Sequence, residues 1–168
     1  MRRTFLLLLL STFCMLSNAQ VSELSSTLGV DFGSTYNHKI ITPHITYSYA
    51  LTPKLSVGIR AEDAITMQRD KNGNKIGDDR LTLGGQVGYK AFDLIKLINV
   101  EPRITVGHSI NSGRNQDYLY YQAGIYLNCS FDKGSKPEFG FGFRNNFYHH
   151  GLDKNKIVFF VSYAFMLR

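Results

Sequence analysis

EFGFGFRNNFYH, residues 138–149, alternates large rings with glycine and charge. Successive side chains of a strand point to opposite faces. Phe139, Phe141, Phe143, Asn145 and Phe147 therefore share one face, and Glu138, Gly140, Gly142, Arg144, Asn146 and Tyr148 share the other. The wet face of a soluble sheet is normally rich in Lys and Glu. Here the polar face is kept small by glycine, which suits the inside of a tightly curved wall. The stretch predicts one strand of a membrane-spanning barrel, with Phe toward lipid and Gly and Arg toward a narrow lumen.

The amino terminus reads as an export signal. Arg2 and Arg3 precede an apolar run from Phe5 to Leu16, and Ser17-Asn18-Ala19 supplies a small-x-small cleavage site, so the mature chain is expected to begin at Gln20. A retained membrane anchor fits less well, because about 20 unbroken apolar residues are wanted and Ser11 and Thr12 interrupt the run. A lipoprotein reading of Cys14 is opposed by the bulky Phe13 before it. Removing residues 1–19 from the 168 leaves 149, the size of one domain. Taking Arg2 and Arg3 from the 19 basic residues leaves 17 against 13 acidic ones, a net charge of +4, with no basic run to argue for nucleic acid. Cys129 is then the single remaining cysteine, which excludes an internal disulfide. No mature stretch approaches the roughly 18 apolar residues of a membrane helix. An exported β-protein remains, either soluble or an outer-membrane barrel.

The same period of two recurs along the chain. Strands are expected at 24–36, 40–51, 54–67, 80–92, 100–109, 117–131, 138–149 and 156–167, with 68–79 (QRDKNGNKIGDD) as a polar loop and 93–99 as a helical turn or tight connection. Pro43 removes a backbone donor and is expected near the rim, where the ladder is weakest. Eight strands joined hairpin by hairpin predict an all-β, antiparallel up-and-down transmembrane barrel over residues 20–168. A soluble ligand-carrying barrel has the same strand count but is apolar within and wet without. Lysine discriminates between them: Lys39, Lys71, Lys75, Lys96, Lys133, Lys136 and Lys154 fall in expected loops or turns, and Lys54, Lys90 and Lys156 fall near strand ends. Strands two, four, six and eight end in outward rings, namely Tyr47 and Tyr49, Tyr89, Phe131, and Tyr163 and Phe165, as a lipid-facing aromatic girdle requires.

On the export signal, the eight alternating strands and the aromatic-containing end VSYAFMLR at 161–168, the chain resembles the small outer-membrane β-barrel family and is similar in plan to the OmpX and OmpA membrane domains. Family members usually finish on an aromatic residue, whereas here Met166, Leu167 and Arg168 follow Phe165. The resemblance implies a location in the cell outer membrane, outer-membrane lipid around the wall, and the barrel-assembly machinery as a partner during biogenesis. The expected protein is a monomer without a cofactor or a nucleic-acid partner.

The inward charges are Asp31, Arg60, Glu62, Lys90, Glu101, Arg103, Glu138 and Arg144, four of each sign. A selective pore would show an excess of one sign. Balance predicts a salt-bridged plug, with Lys90 and Glu101 paired near the periplasmic end. His108-Ser109 invites comparison with lipid A deacylase barrels, whose outward His and Ser act with a carboxylate. In that pattern one residue separates them, and here they are adjacent, so only one faces the membrane. The oxygens around Asp70, Asn72, Asn74 and Asp78 imitate a calcium loop, but Lys75 stands where Gly belongs and Leu81 where a bidentate Glu belongs. His149-His150 reads as a rim pair, Asn128-Cys129-Ser130 as an accidental glycosylation match within a strand, and Cys129 as a lipid-facing small residue. The expected function is a structural or surface-interaction role without catalysis or a bound metal. Narrow porin-like conductance and a lipid-modifying enzyme are the alternatives.

Overall fold

The computed structural model describes residues 24–35, 38–69, 75–110, 118–130, 136–148 and 155–167. The export signal, Phe131, residues 70–74 of the expected loop and His149-His150 lie outside them. Eleven strands occur among the described residues: β1 (Leu24–Thr35), β2 (His38–Ala50), β3 (Leu55–Asp63), β4 (Ile65–Arg69), β5 (Lys75–Asp78), β6 (Leu81–Tyr89), β7 (Phe92–Ile95), β8 (Ile98–Ser109), β9 (Tyr118–Cys129), β10 (Lys136–Tyr148) and β11 (Asn155–Leu167). All pairings are antiparallel.

Neighbours run β1-β11-β10-β9-β8-β6-β3-β2, and β2 returns to β1, so the sheet closes into an eight-walled cylinder. The stagger follows from the register. Direct partners of Leu28 lead through Ile45, Ala61, Leu83, His108, Leu119 and Phe147 to Asn155. Across the closing seam, however, Leu28 pairs with Phe165, ten residues further along β11. With about 3.3 Å per residue and about 4.8 Å between strands, that shear tilts the strands by about 40° and sets a backbone radius of about 8 Å. Such a cylinder is filled by its own side chains.

Four expectations are corrected. The third strand is two pieces, and the loop expected at 68–79 contains β5, which pairs with β4 from Thr66↔Asp78 to Arg69↔Lys75. Ala64 and Arg80 exchange backbone hydrogen bonds of 2.7 and 3.1 Å at the irregular point, so β3–β4 and β5–β6 form one long, interrupted hairpin. Pro43 lies inside β2, away from the rim. The partner of β2 changes from β3 at His44↔Glu62 to β4 at Ile41↔Ile65, and the ladder lapses beside the proline that has no N–H to give. The segment expected as a turn or connection at 93–99 is a β7–β8 hairpin with a bulge between Asp93 and Ile95. Lys136 and Pro137, expected in a turn, already belong to β10.

The wall is inverted relative to a soluble domain. Among the described residues, 21 polar or charged residues are buried against nine hydrophobic ones. Leu81, Leu83, Val87 and Tyr89 of β6 and Phe139, Phe141 and Phe143 of β10 stand exposed on the outside. Thr82, Gln86, Glu138 and Arg144 on the same strands are buried within.

Candidate functional site

The lumen holds two tiers of charge. In the first, Arg60 and Glu62 lie two residues apart on β3 and so face the same way. Arg60 Nε donates to Glu62 Oε2 at 2.7 Å, and its Nη2 reaches across to Asp31 Oδ2 on β1 at 2.5 Å. Glu62 also accepts from Thr82 Oγ1 at 2.9 Å and lies 2.5 Å from Arg144 Nη1. Arg144 Nε donates to Asn146 Oδ1 at 2.9 Å, and its guanidinium covers the Tyr120 ring at 3.8 Å. His44 Nδ1 approaches Asp31 Oδ1 at 3.6 Å.

In the second tier Arg103 is the hub. Its Nε donates to Glu101 Oε1 at 2.8 Å and its Nη1 to Glu138 Oε1 at 2.7 Å, and its Nη2 donates both to Glu138 Oε2 and to Asn128 Oδ1. The fork to Glu138 is bidentate, the strong geometry for this pair. Asn128 Nδ2 donates to Glu101 Oε2 at 2.7 Å and to Asn99 Oδ1 at 3.1 Å. Tyr126 separates the tiers: Arg103 stacks on its ring at 4.4 Å, and Gln122 Nε2 donates to its hydroxyl at 3.1 Å and to Asp31 Oδ2 at 3.0 Å. Glycine makes room for these rings. A Cβ on Gly140 would come within 2.5 Å of the Tyr126 ring, and one on Gly107 equally close to Tyr120.

Six of the eight charges read from the sequence, Asp31, Arg60, Glu62, Arg103, Glu138 and Arg144, are buried in these tiers, and Glu101 is nearly so. Lys90 is the correction. Its side chain is 40% exposed and pairs with Asp93 at 2.9 Å rather than with Glu101, which Arg103 on its own strand and face has already taken. Arg80, buried at the start of the β6 wall, restores the balance of four and four. Its parity with Thr82 was the available signal, hidden by its place beside the loop. His44, Gln122, Asn128 and Tyr126 also join the interior, with no sequence signal beyond an inward position. At the end nearer the chain termini, a cavity of about 210 Å³ opens among Ser48, Lys54, Ser56, Lys90, Glu101 and Lys136.

On the outside, Tyr47, Tyr89, Tyr163 and Phe165 are exposed and Tyr49 is half-buried. Tyr163 sits between Phe139 and Phe165, with ring centres 5.1 and 4.9 Å apart. A second aromatic group, Tyr121 with Phe143 and Phe147, occupies the other end at 6.0 and 5.6 Å. Between its rings Asn145 is buried despite its outward parity, and it donates to the Tyr121 hydroxyl at 3.4 Å. Cys129, expected toward lipid, is buried at 7% exposure, and its partner in the ladder is Ile98 at the start of β8. His108 is exposed on the outer face and Ser109 is buried on the inner one. The backbone N–H of Tyr118 donates to Ser109 Oγ.

The chain is a closed, antiparallel, eight-stranded β-barrel. No protein-family model matches it, and no curated protein does. Among solved structures the barrel is similar to the outer membrane protein Ail of Yersinia pestis in a phospholipid bilayer nanodisc, at 12% identity and a TM-score of 0.45, over 86% of this chain and 100% of that one. The closure of the barrel stands on its own strand pairings.

Proposed function

We propose that the protein is an integral outer-membrane barrel, exported by cleavage after Ala19, with a structural or surface-interaction role and no catalysis. One observation carries this reading: polar and charged groups fill the lumen while a belt of large apolar side chains faces outward. Soluble monomers rarely expose contiguous apolar surface beyond a few hundred Å². From Leu81 to Tyr89 the belt covers eight steps of a tilted strand, about 20 Å along the axis, close to the roughly 25 Å apolar band of transmembrane barrels.

Two linked tiers of ion pairs support a plug over a conducting pore. The opposed directions of His108 and Ser109 argue against a lipid-ester hydrolase, whose groups must meet. Membrane fractionation with heat-modifiable gel migration tests the barrel, and planar-bilayer recording of the protein and of its Arg60→Ala and Glu62→Ala variants tests the plug. Outer-membrane recovery, a folded band that shifts on boiling, and a closed lumen in all three proteins are expected. Steady ion conductance by the unsubstituted protein would overturn the plug in favour of the channel.

A further inference from the structure

Beyond the outward ring of Tyr89 the wall continues as the β7–β8 hairpin, and its composition is unusual for a turn at a water-facing rim. Phe92, Leu94, Ile95 and Leu97 are 43–59% exposed. The other described turn at this end, residues 51–54, carries a single large apolar side chain, Leu51. Phe92 pairs with Val100 and Ile95 with Ile98, so the hairpin is formed, and the bulge after Asp93 bends it. The outer face of β8 runs on without a break from Val100 through Pro102 to Ile104 in the apolar belt. Phe92 lies three residues past Tyr89, about 8 Å along the axis on a strand tilted by about 40°. The polar layer of a bilayer is about 5–8 Å deep on each side, so a girdle at Tyr89 puts Phe92 at the outer edge of the headgroups, and the anchor needs the bend after Asp93 to hold Leu94 at that level.

Charge points the same way. Lys54, Lys90, Lys96 and Lys136 gather at this end, against Asp93 as the exposed carboxylate of the hairpin. A basic collar around an apolar tip fits a layer of phosphate esters over acyl chains. We propose that the β7–β8 hairpin is an anchor for the headgroup layer of anionic phospholipid in the leaflet on the side of the chain termini. This rests on the membrane reading of the barrel.

The chain contains no tryptophan, so single substitutions give clean reporters. Phe92→Trp, Leu94→Trp and, in the middle of the belt, Phe141→Trp are reconstituted in phosphatidylcholine bilayers carrying bromine or a nitroxide at shallow or deep positions, with and without phosphatidylglycerol. The anchor predicts blue-shifted emission from the two hairpin reporters, loss of most of it to the shallow quencher, and stronger quenching once phosphatidylglycerol is present. Phe141→Trp should respond to the deep quencher. If Phe141→Trp is quenched while both hairpin reporters emit as in water and yield to iodide, the anchor is overturned and the barrel stands. If quenching of the hairpin ignores phosphatidylglycerol, the preference for anionic lipid is overturned. If Phe141→Trp itself escapes the lipid quenchers, the membrane reading falls and the anchor with it.

Discussion

Arg60 is confined between Asp31 and Glu62 with almost no exposure; without it Glu62 keeps Arg144, whereas Asp31 is left with Gln122 and the contact to His44. Removing one partner of a buried pair strands the other, at a cost of about 3–5 kcal/mol. Arg60→Ala should therefore lower the urea midpoint of the folded protein in lipid vesicles by a corresponding amount, and Arg60→Lys should recover only part of it, since an ammonium cannot fork to two carboxylates. Lys90→Ala is the contrast: its half-exposed pair with Asp93 is worth about 0–1 kcal/mol. Equal losses in Arg60→Ala and Lys90→Ala would remove the distinction between interior and rim. Inward position was legible in the sequence for Asp31, Arg60, Glu62, Arg103, Glu138 and Arg144 because parity along a regular strand decides it, and it was missed for Arg80 beside the loop. Partnership was not. Glu101 could be matched to Lys90 by height along the wall, but Arg103, two residues on and on the same face, reaches it first.

Glycine on a strand means opposite things on its two faces. A Cβ on Gly142 would stand 2.6 Å from Gly124 Cα on β9 and press on the Ala123 carbonyl, whereas a Cβ on Gly85 would meet nothing within 4 Å. Gly142→Ala is expected to cost about 1–3 kcal/mol by overpacking. Gly85→Ala should be neutral or stabilising by about 0.5–1 kcal/mol, because a strand loses less conformational freedom with alanine. Urea titration in vesicles measures both, and a destabilised Gly85→Ala would contradict the outward placement. Elements inside the belt were readable because an apolar outer face on one side and a crowded polar lumen on the other go with strict alternation. Past the belt that pressure ends. β4 and β5 pair through backbone groups that any residue supplies, so QRDKNGNKIGDD shows its turn and hides its strands.

For the molecule as a whole, the side on which apolar surface lies decides its solvent. Phe141→Lys places a cation near the middle of the belt, and at a bilayer midplane that costs about 2–4 kcal/mol. An exposed position in water shifts stability by about 0.5 kcal/mol or less. Unfolding of the variant in vesicles separates these outcomes. The pairing of β1 with β11 joins residues 26–34 to 159–167, the most distant segments of the described chain. A cylinder sealed by its first and last staves cannot be finished piecemeal. Until the final stave arrives, every partial assembly offers two raw flanks to whatever lies nearby, and the slow step is bringing together remote ends. Deletion of the last stave should thus yield adhesive, lipid-incompetent material rather than a smaller barrel.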